Sequence, residues 1–126
     1  MAKILVVDDD TNIRQYFTGE LSDEGHQVST VDSGHQLLSV IDRFEPDVVV
    51  LDIMLVDHDG LELLKEIRKE YYDLPVILCS ASETYKYDQR SVGADYYVVK
   101  SFDLSELKTM INRAVKAHKP GHFNGN

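Results

Sequence analysis

Four short apolar runs, each bracketed by stretches of helical spacing, constrain this chain more than any other feature. KILVV leads into Asp8 and Asp9, VVVL into Asp52, VILC into Ser80 and YYVV into Lys100. Runs of four or five mostly β-branched residues without polar alternation read as parallel strands buried on both faces. The carboxyl ends of such strands share one edge of the sheet, where ligands bind. The reading therefore gathers three carboxylates, a hydroxyl and an ammonium group from distant parts of the chain onto one edge.

The intervening segments supply the helices. Thr11 caps a helix whose Ile13, Phe17 and Leu21 share a face, and Gly25 closes it. Gln27–Val31 forms a further short strand. Ser33 and Gln36 form a capping box before Leu37, Leu38 and Ile41, and Pro46 stops that helix. The third strand covers Asp47–Leu51. After a loop from Asp52, Asp59 and Glu62 cap a helix carrying Leu61, Leu64 and Ile67. Pro75 opens the fourth strand, through Cys79. Glu83–Val92 reads as a weak helix, with Tyr85 and Tyr87 outside any apolar face. The fifth strand is Tyr96–Val99. Asp103 and Glu106 then box a last helix with Leu107, Met110, Ile111, Ala114 and Val115 inward. Repeated βα units of this kind make an α/β three-layer sandwich with right-handed crossovers. Residues 1–118 form one domain, and 119–126 read as a flexible tail or the start of a linker.

Bulk properties exclude several classes. A net charge of −9 over 126 residues argues against direct nucleic-acid binding. No apolar run approaches the roughly 20 residues of a membrane span, so membrane insertion is not expected. The lone Cys79 faces the core and fits a reducing compartment, and with no signal-type amino terminus the expectation is cytoplasmic. His26, His35, His58, His118 and His122 show no ligand spacing and read as surface residues.

VVDDD, VVVLDIML with the following Asp59-Gly60, ILCSA, GADYYVVK and the boxed final helix together resemble the receiver domain of two-component response regulators, along nearly the whole chain. The resemblance implies a doubly wound, flavodoxin-like sheet of five parallel strands in the order 2-1-3-4-5. It also implies a stand-alone receiver of the chemotaxis or sporulation-relay type.

By that resemblance Asp52 is the phospho-acceptor, a strand-end carboxylate able to attack phosphorus and form an acyl phosphate. Asp8 and Asp9 hold Mg²⁺, or Mn²⁺ in its place, with Asp52 and the backbone carbonyl of Met54. Both acids also suit the amino terminus of the first helix, and Asp10 reads as only a cap or first-turn acid. Lys100 pairs with Asp52 and then neutralises a phosphoryl oxygen; Ser80 donates its hydroxyl to another. Tyr97, three residues before Lys100, matches the switch aromatic, which turns inward as Ser80 moves and alters the surface of the fourth helix, fifth strand and fifth helix. A sensor histidine kinase or phosphotransfer protein donates the phosphoryl group, and a downstream protein reads that surface. No chemistry is expected beyond self-phosphorylation and dephosphorylation.

Two positions depart from the family pattern. Ser101 replaces the proline after the site lysine, and without it a cis bond costs about 2.5–4 kcal/mol, so trans is expected. Val56 replaces a loop proline and is expected to loosen the segment before Gly60. Among competing readings, an aspartyl-phosphate hydrolase of the dehalogenase type wants a second acid where Met54 stands. A flavodoxin-like cofactor carrier wants a phosphate loop where DDDTN stands. A receiver fragment of a longer regulator remains a third alternative.

Overall fold

Alternate residues of the central strands serve two different cores. Leu5, Val7, Val49, Leu51, Val76 and Leu78 face one cluster, and Ile4, Val6, Val48, Val50, Ile77 and Cys79 face the other. A strand buried on both faces has no position for a solvent-facing polar residue, which is why its sequence lacks alternation.

The computed structural model describes residues 1–117. Its elements are β1 (Lys3–Val7), α1 (Thr11–Asp23), β2 (Gln27–Val31), α2 (Leu37–Phe44), β3 (Val48–Asp52), α3 (Gly60–Glu70), β4 (Val76–Ser80), a 3₁₀ turn (Gln89–Gly93), β5 (Tyr96–Val99) and α4 (Ser105–Ala117). The five strands are all parallel, in the order β2-β1-β3-β4-β5. Helices α2 and α3 cover one face through Leu37, Ile41, Leu61, Leu64 and Ile67. Helices α1 and α4 cover the other through Phe17, Leu21, Leu107, Ile111 and Ala114. The expected three-layer architecture is the observed one. Among the described residues no helix is long and apolar enough to cross a membrane. The expected tail, with His118 and His122, lies outside the described residues.

Several local expectations are corrected. Asp10, not Thr11, caps α1, its Oδ1 accepting from Asn12 N and Ile13 N at 2.8 and 3.2 Å. A carboxylate one residue earlier reaches both free N–H groups, and Thr11 becomes the first helical residue. No capping box forms at α2. The Ser33 hydroxyl is used locally by His35 N at 3.1 Å, and Gln36 sits left-handed at φ 61°, without a side-chain cap. The other end of α2 closes on Glu45, also left-handed at φ 52°, whose N–H donates to Ile41 O at 2.8 Å, and Pro46 prevents the helix from continuing.

The helix expected over Glu83–Val92 is instead a series of turns ending in the 3₁₀ segment. Backbone bonds from Lys86 to Glu83 and from Asp88 to Tyr85 span three residues, and Asp88 caps a new start by accepting from Arg90 N. Tyr85 is not outside the apolar surface; it packs on the α2–α3 core, whereas Tyr87 is exposed. His26 and His58 are half-buried rather than on the surface. His26 Nδ1 accepts from Ala2 N at 3.1 Å, and the His58 ring lies so close to Gly34 that a Cβ there would stand 2.7 Å from it.

Candidate functional site

β3 and β4 start one residue later than the sequence suggests and take Asp52 and Ser80 as their last residues. Both side chains are therefore fixed by strand backbone. Register aligns the strand ends: Val7 pairs with Leu51, Asp52 with Cys79 and Ser80 with Val99. Each apolar run thus delivers its terminal polar residue to the same edge.

Asp8, Asp9 and Asp52 can each offer a carboxylate oxygen such that all three lie within 4.8 Å of one another. Asp8 and Asp52 are buried, and Asp9 is half-buried. Lys100 reaches into the group, with Nζ 2.7 Å from Asp8 Oδ2 and 3.3 Å from Asp52 Oδ2. Asp8 is further fixed by Asp10 N, which donates to its Oδ1 at 2.9 Å, and by Arg14 Nη1, which donates to its carbonyl at 2.7 Å. Met54 N donates to Asp52 Oδ1 at 3.2 Å.

The electrostatics follow from crowding. Burial raises the Asp52 pKa; the nearby Lys100 charge opposes this and Asp8 adds to it. Burial also works against the charge on Lys100, but its hydrogen bond to Asp8 and the Asp52 and Asp8 charges outweigh that, holding its pKa above the ordinary lysine value. One ammonium cannot neutralise three carboxylates. The set consists of hard oxygen donors clustered at one point, which suits a divalent cation that takes one or two carboxylates and keeps several waters. The donor chemistry fits Mg²⁺.

Ser80 is buried beside this cluster, its Oγ accepting from Ser82 N at 3.3 Å. Tyr97 is half-buried against the α2–α3 core, and its hydroxyl donates to Ser82 O at 2.6 Å. One loop thus holds the ends of both side chains. Met54 exposes its side chain to 64%. Cys79 is confirmed as a core residue, its thiol pushed up to about 12, chiefly by burial. Every peptide bond among the described residues is trans, the one before Ser101 included. Lys100 nevertheless reaches the acids, and Ser101 Oγ accepts from Asp103 N at 3.1 Å. The segment before Gly60 is not loosened by Val56. Its N–H donates to Asp9 Oδ2 at 2.9 Å, and Met54 bridges Asp59. Arg14 and this N–H are the parts of the site that the sequence reading missed. A backbone donor has no residue type to signal it, and half-buried Arg14 carries no spacing that marks it.

The profile of the response regulator receiver domain matches residues 4–112. The chain belongs to the response regulator receiver family. The receiver superposes on the response regulator TrrA from Thermotoga maritima, solved in complex with Mg²⁺-BeF, with a TM-score of 0.87 at 41% identity, over 90% of this chain and 99% of that one. A second TrrA structure, in complex with the histidine kinase ThkA, matches with a TM-score of 0.85 at 41% identity, covering 91% of this chain and 99% of that one. NtrX from Brucella abortus matches at 37% identity and a TM-score of 0.83, covering 92% of this chain but only 27% of that longer one. The acidic cluster of this receiver is consistent with the cation that the first of these complexes contains.

Proposed function

We propose that this receiver accepts a phosphoryl group on Asp52 and signals through protein partners. The observation that carries the reading is the buried Asp52 carboxylate at the end of β3, inside a cluster with Asp8 and Asp9 and within 3.3 Å of Lys100. An Asp52 oxygen forms the new bond to phosphorus. The bond from phosphorus to the donor's imidazole nitrogen breaks, its electron pair stays on that nitrogen, and the nitrogen takes up a proton from solvent. Such transfer is mostly positioning and charge stabilisation, which Lys100 and the Ser80 hydroxyl supply at the phosphoryl oxygens. Mg²⁺ held by Asp8, Asp9, Asp52 and the Met54 carbonyl would neutralise charge on the phosphoryl oxygens; Mn²⁺ would serve in the same way.

Ser80 exchanges its bond to Ser82 N for one to the phosphoryl group, and Tyr97, already tied to Ser82, follows the loop. The surface formed by residues 83–93, β5 and α4 then prefers a different partner. The donor is a sensor histidine kinase or a phosphotransfer protein. A groove beside Lys100, lined by Asn12, Ile13, Tyr16 and Phe102, offers it a docking place next to the acceptor. The setting is the cytoplasm, in keeping with the single reduced cysteine.

Incubation with acetyl phosphate and Mg²⁺, followed by intact mass measurement, tests the reading. The protein gains one phosphoryl group and Asp52→Asn gains none; labelling that persists in the variant refutes the assignment. A second reading, in which the receiver is one part of a longer regulator, is favoured by the match to NtrX, and the mass of the native polypeptide separates the two.

A further inference from the structure

We propose that the backbone N–H of Val56 aims Asp9 at the divalent cation and ties together the two loops that supply the cation's ligands. The inference rests on the metal reading above. Val56 N lies 2.9 Å from Asp9 Oδ2, across 47 residues of sequence. Among the described residues Asp9 makes no other hydrogen bond or ion pair, so its second oxygen has no protein partner. One oxygen is thus fixed by the protein and the other is left for the cation, in the cluster with Asp8 and Asp52. Ligating carboxylates are commonly held from behind in this way, and losing the outer hydrogen bond typically costs 10–100-fold in metal affinity.

The Val56 side chain is 91% exposed and contributes nothing to this contact. Any residue with an N–H serves equally, and proline alone does not. A proline at this loop position, the pattern from which the chain departs, would leave Asp9 with neither oxygen held. Val56 is therefore a positioning residue that acts through its backbone.

Amide-shift titrations of the full chain with MgCl₂, read by NMR, test this. Val56→Pro weakens Mg²⁺ binding about tenfold, Val56→Ala matches the unaltered protein, and in an Asp9→Ala background the proline makes no further difference. Exchange protection of the Val56 amide, measured on the unaltered protein with Mg²⁺ bound, gives an independent readout that does not depend on the proline variant folding. Equal or tighter binding by Val56→Pro, the same loss with Asp9 absent, or an unprotected Val56 amide overturns the inference while leaving the metal reading intact. Failure of the unaltered protein to bind Mg²⁺ overturns both.

Discussion

Lys100 stands between two buried carboxylates that it satisfies only partly, and this sets how the site behaves without metal. Two unit charges 4–5 Å apart repel by about 3–4 kcal/mol at an effective dielectric near 20. Asp52 responds with a raised pKa, for which burial is the first cause. An acid with a folded-state pKa above its unfolded value binds more protons folded than unfolded between the two. Stability therefore falls as pH rises through that window, and ionised Asp52 is a net cost at neutral pH. Asp52→Asn accordingly melts above the unaltered protein at pH 7 without metal. The gap closes as pH is lowered towards the ordinary carboxylate range, and scanning calorimetry across pH reads both effects. Lys100→Ala acts in the opposite direction. It strands buried Asp8 and Asp52 without their cation partner and lowers stability by about 3 kcal/mol in urea denaturation. A neutral or stabilising result would mean that the lysine is held there for another purpose.

At the scale of elements, the strands were readable because burial on both faces leaves an unbroken apolar run, as in Val48–Leu51 and Val76–Cys79. Their terminal polar residues followed directly, since register carries each to one edge. What escaped sequence reading depended on single hydrogen bonds, two of them local and one between loops. Ser33 and Gln36 have the spacing of a capping box, but the Ser33 hydroxyl is taken by His35 N. Glu83–Val92 carries weak helical spacing, yet Asp88 interrupts it by capping Arg90 N. Val56 was expected to loosen its loop because the missing proline was visible and the bond to Asp9 was not. Gly60 shows how tightly that loop is built. Its N–H donates to Ile53 O at 2.7 Å, and a Cβ there would collide with the Asp52 carbonyl and stand 2.6 Å from Ile53 Cα. Gly60→Ala must push β3 and α3 apart, at a cost of about 3 kcal/mol. Because the nearest displaced atom is the Asp52 carbonyl oxygen, the same variant loses acetyl phosphate labelling out of proportion to its folded fraction. Equal losses of labelling and folding would mean that the glycine serves stability alone.

For the whole molecule, the cation binding proposed above would be linked to folding in one equilibrium. A ligand that binds only the folded state adds about 1.4 kcal/mol at ten times its dissociation constant. With an unfolding entropy of about 2.1 cal/mol/K per residue, this raises the melting temperature of a chain of this length by about 5 °C. A net charge of −9 complicates the reading, because any salt relieves self-repulsion in an acidic protein. The two contributions differ in form. Screening grows with ionic strength, is produced equally by NaCl, and survives loss of any one carboxylate. Site binding saturates, depends on the divalent ion at constant ionic strength, and is weakened in Asp9→Ala. Differential scanning fluorimetry with MgCl₂ balanced against NaCl therefore gives a saturating rise for the unaltered protein and a smaller rise, displaced to higher MgCl₂, for Asp9→Ala. Binding also demands ionised Asp52, and its raised pKa means that protons compete with the cation at a higher pH than they would at an ordinary carboxylate. The Mg²⁺-dependent rise consequently shrinks as pH falls and Asp52 takes up its proton. A rise of the same size in Asp9→Ala, or one insensitive to acid, would assign the stabilisation to the acidic surface as a whole and remove the clustered carboxylates from it.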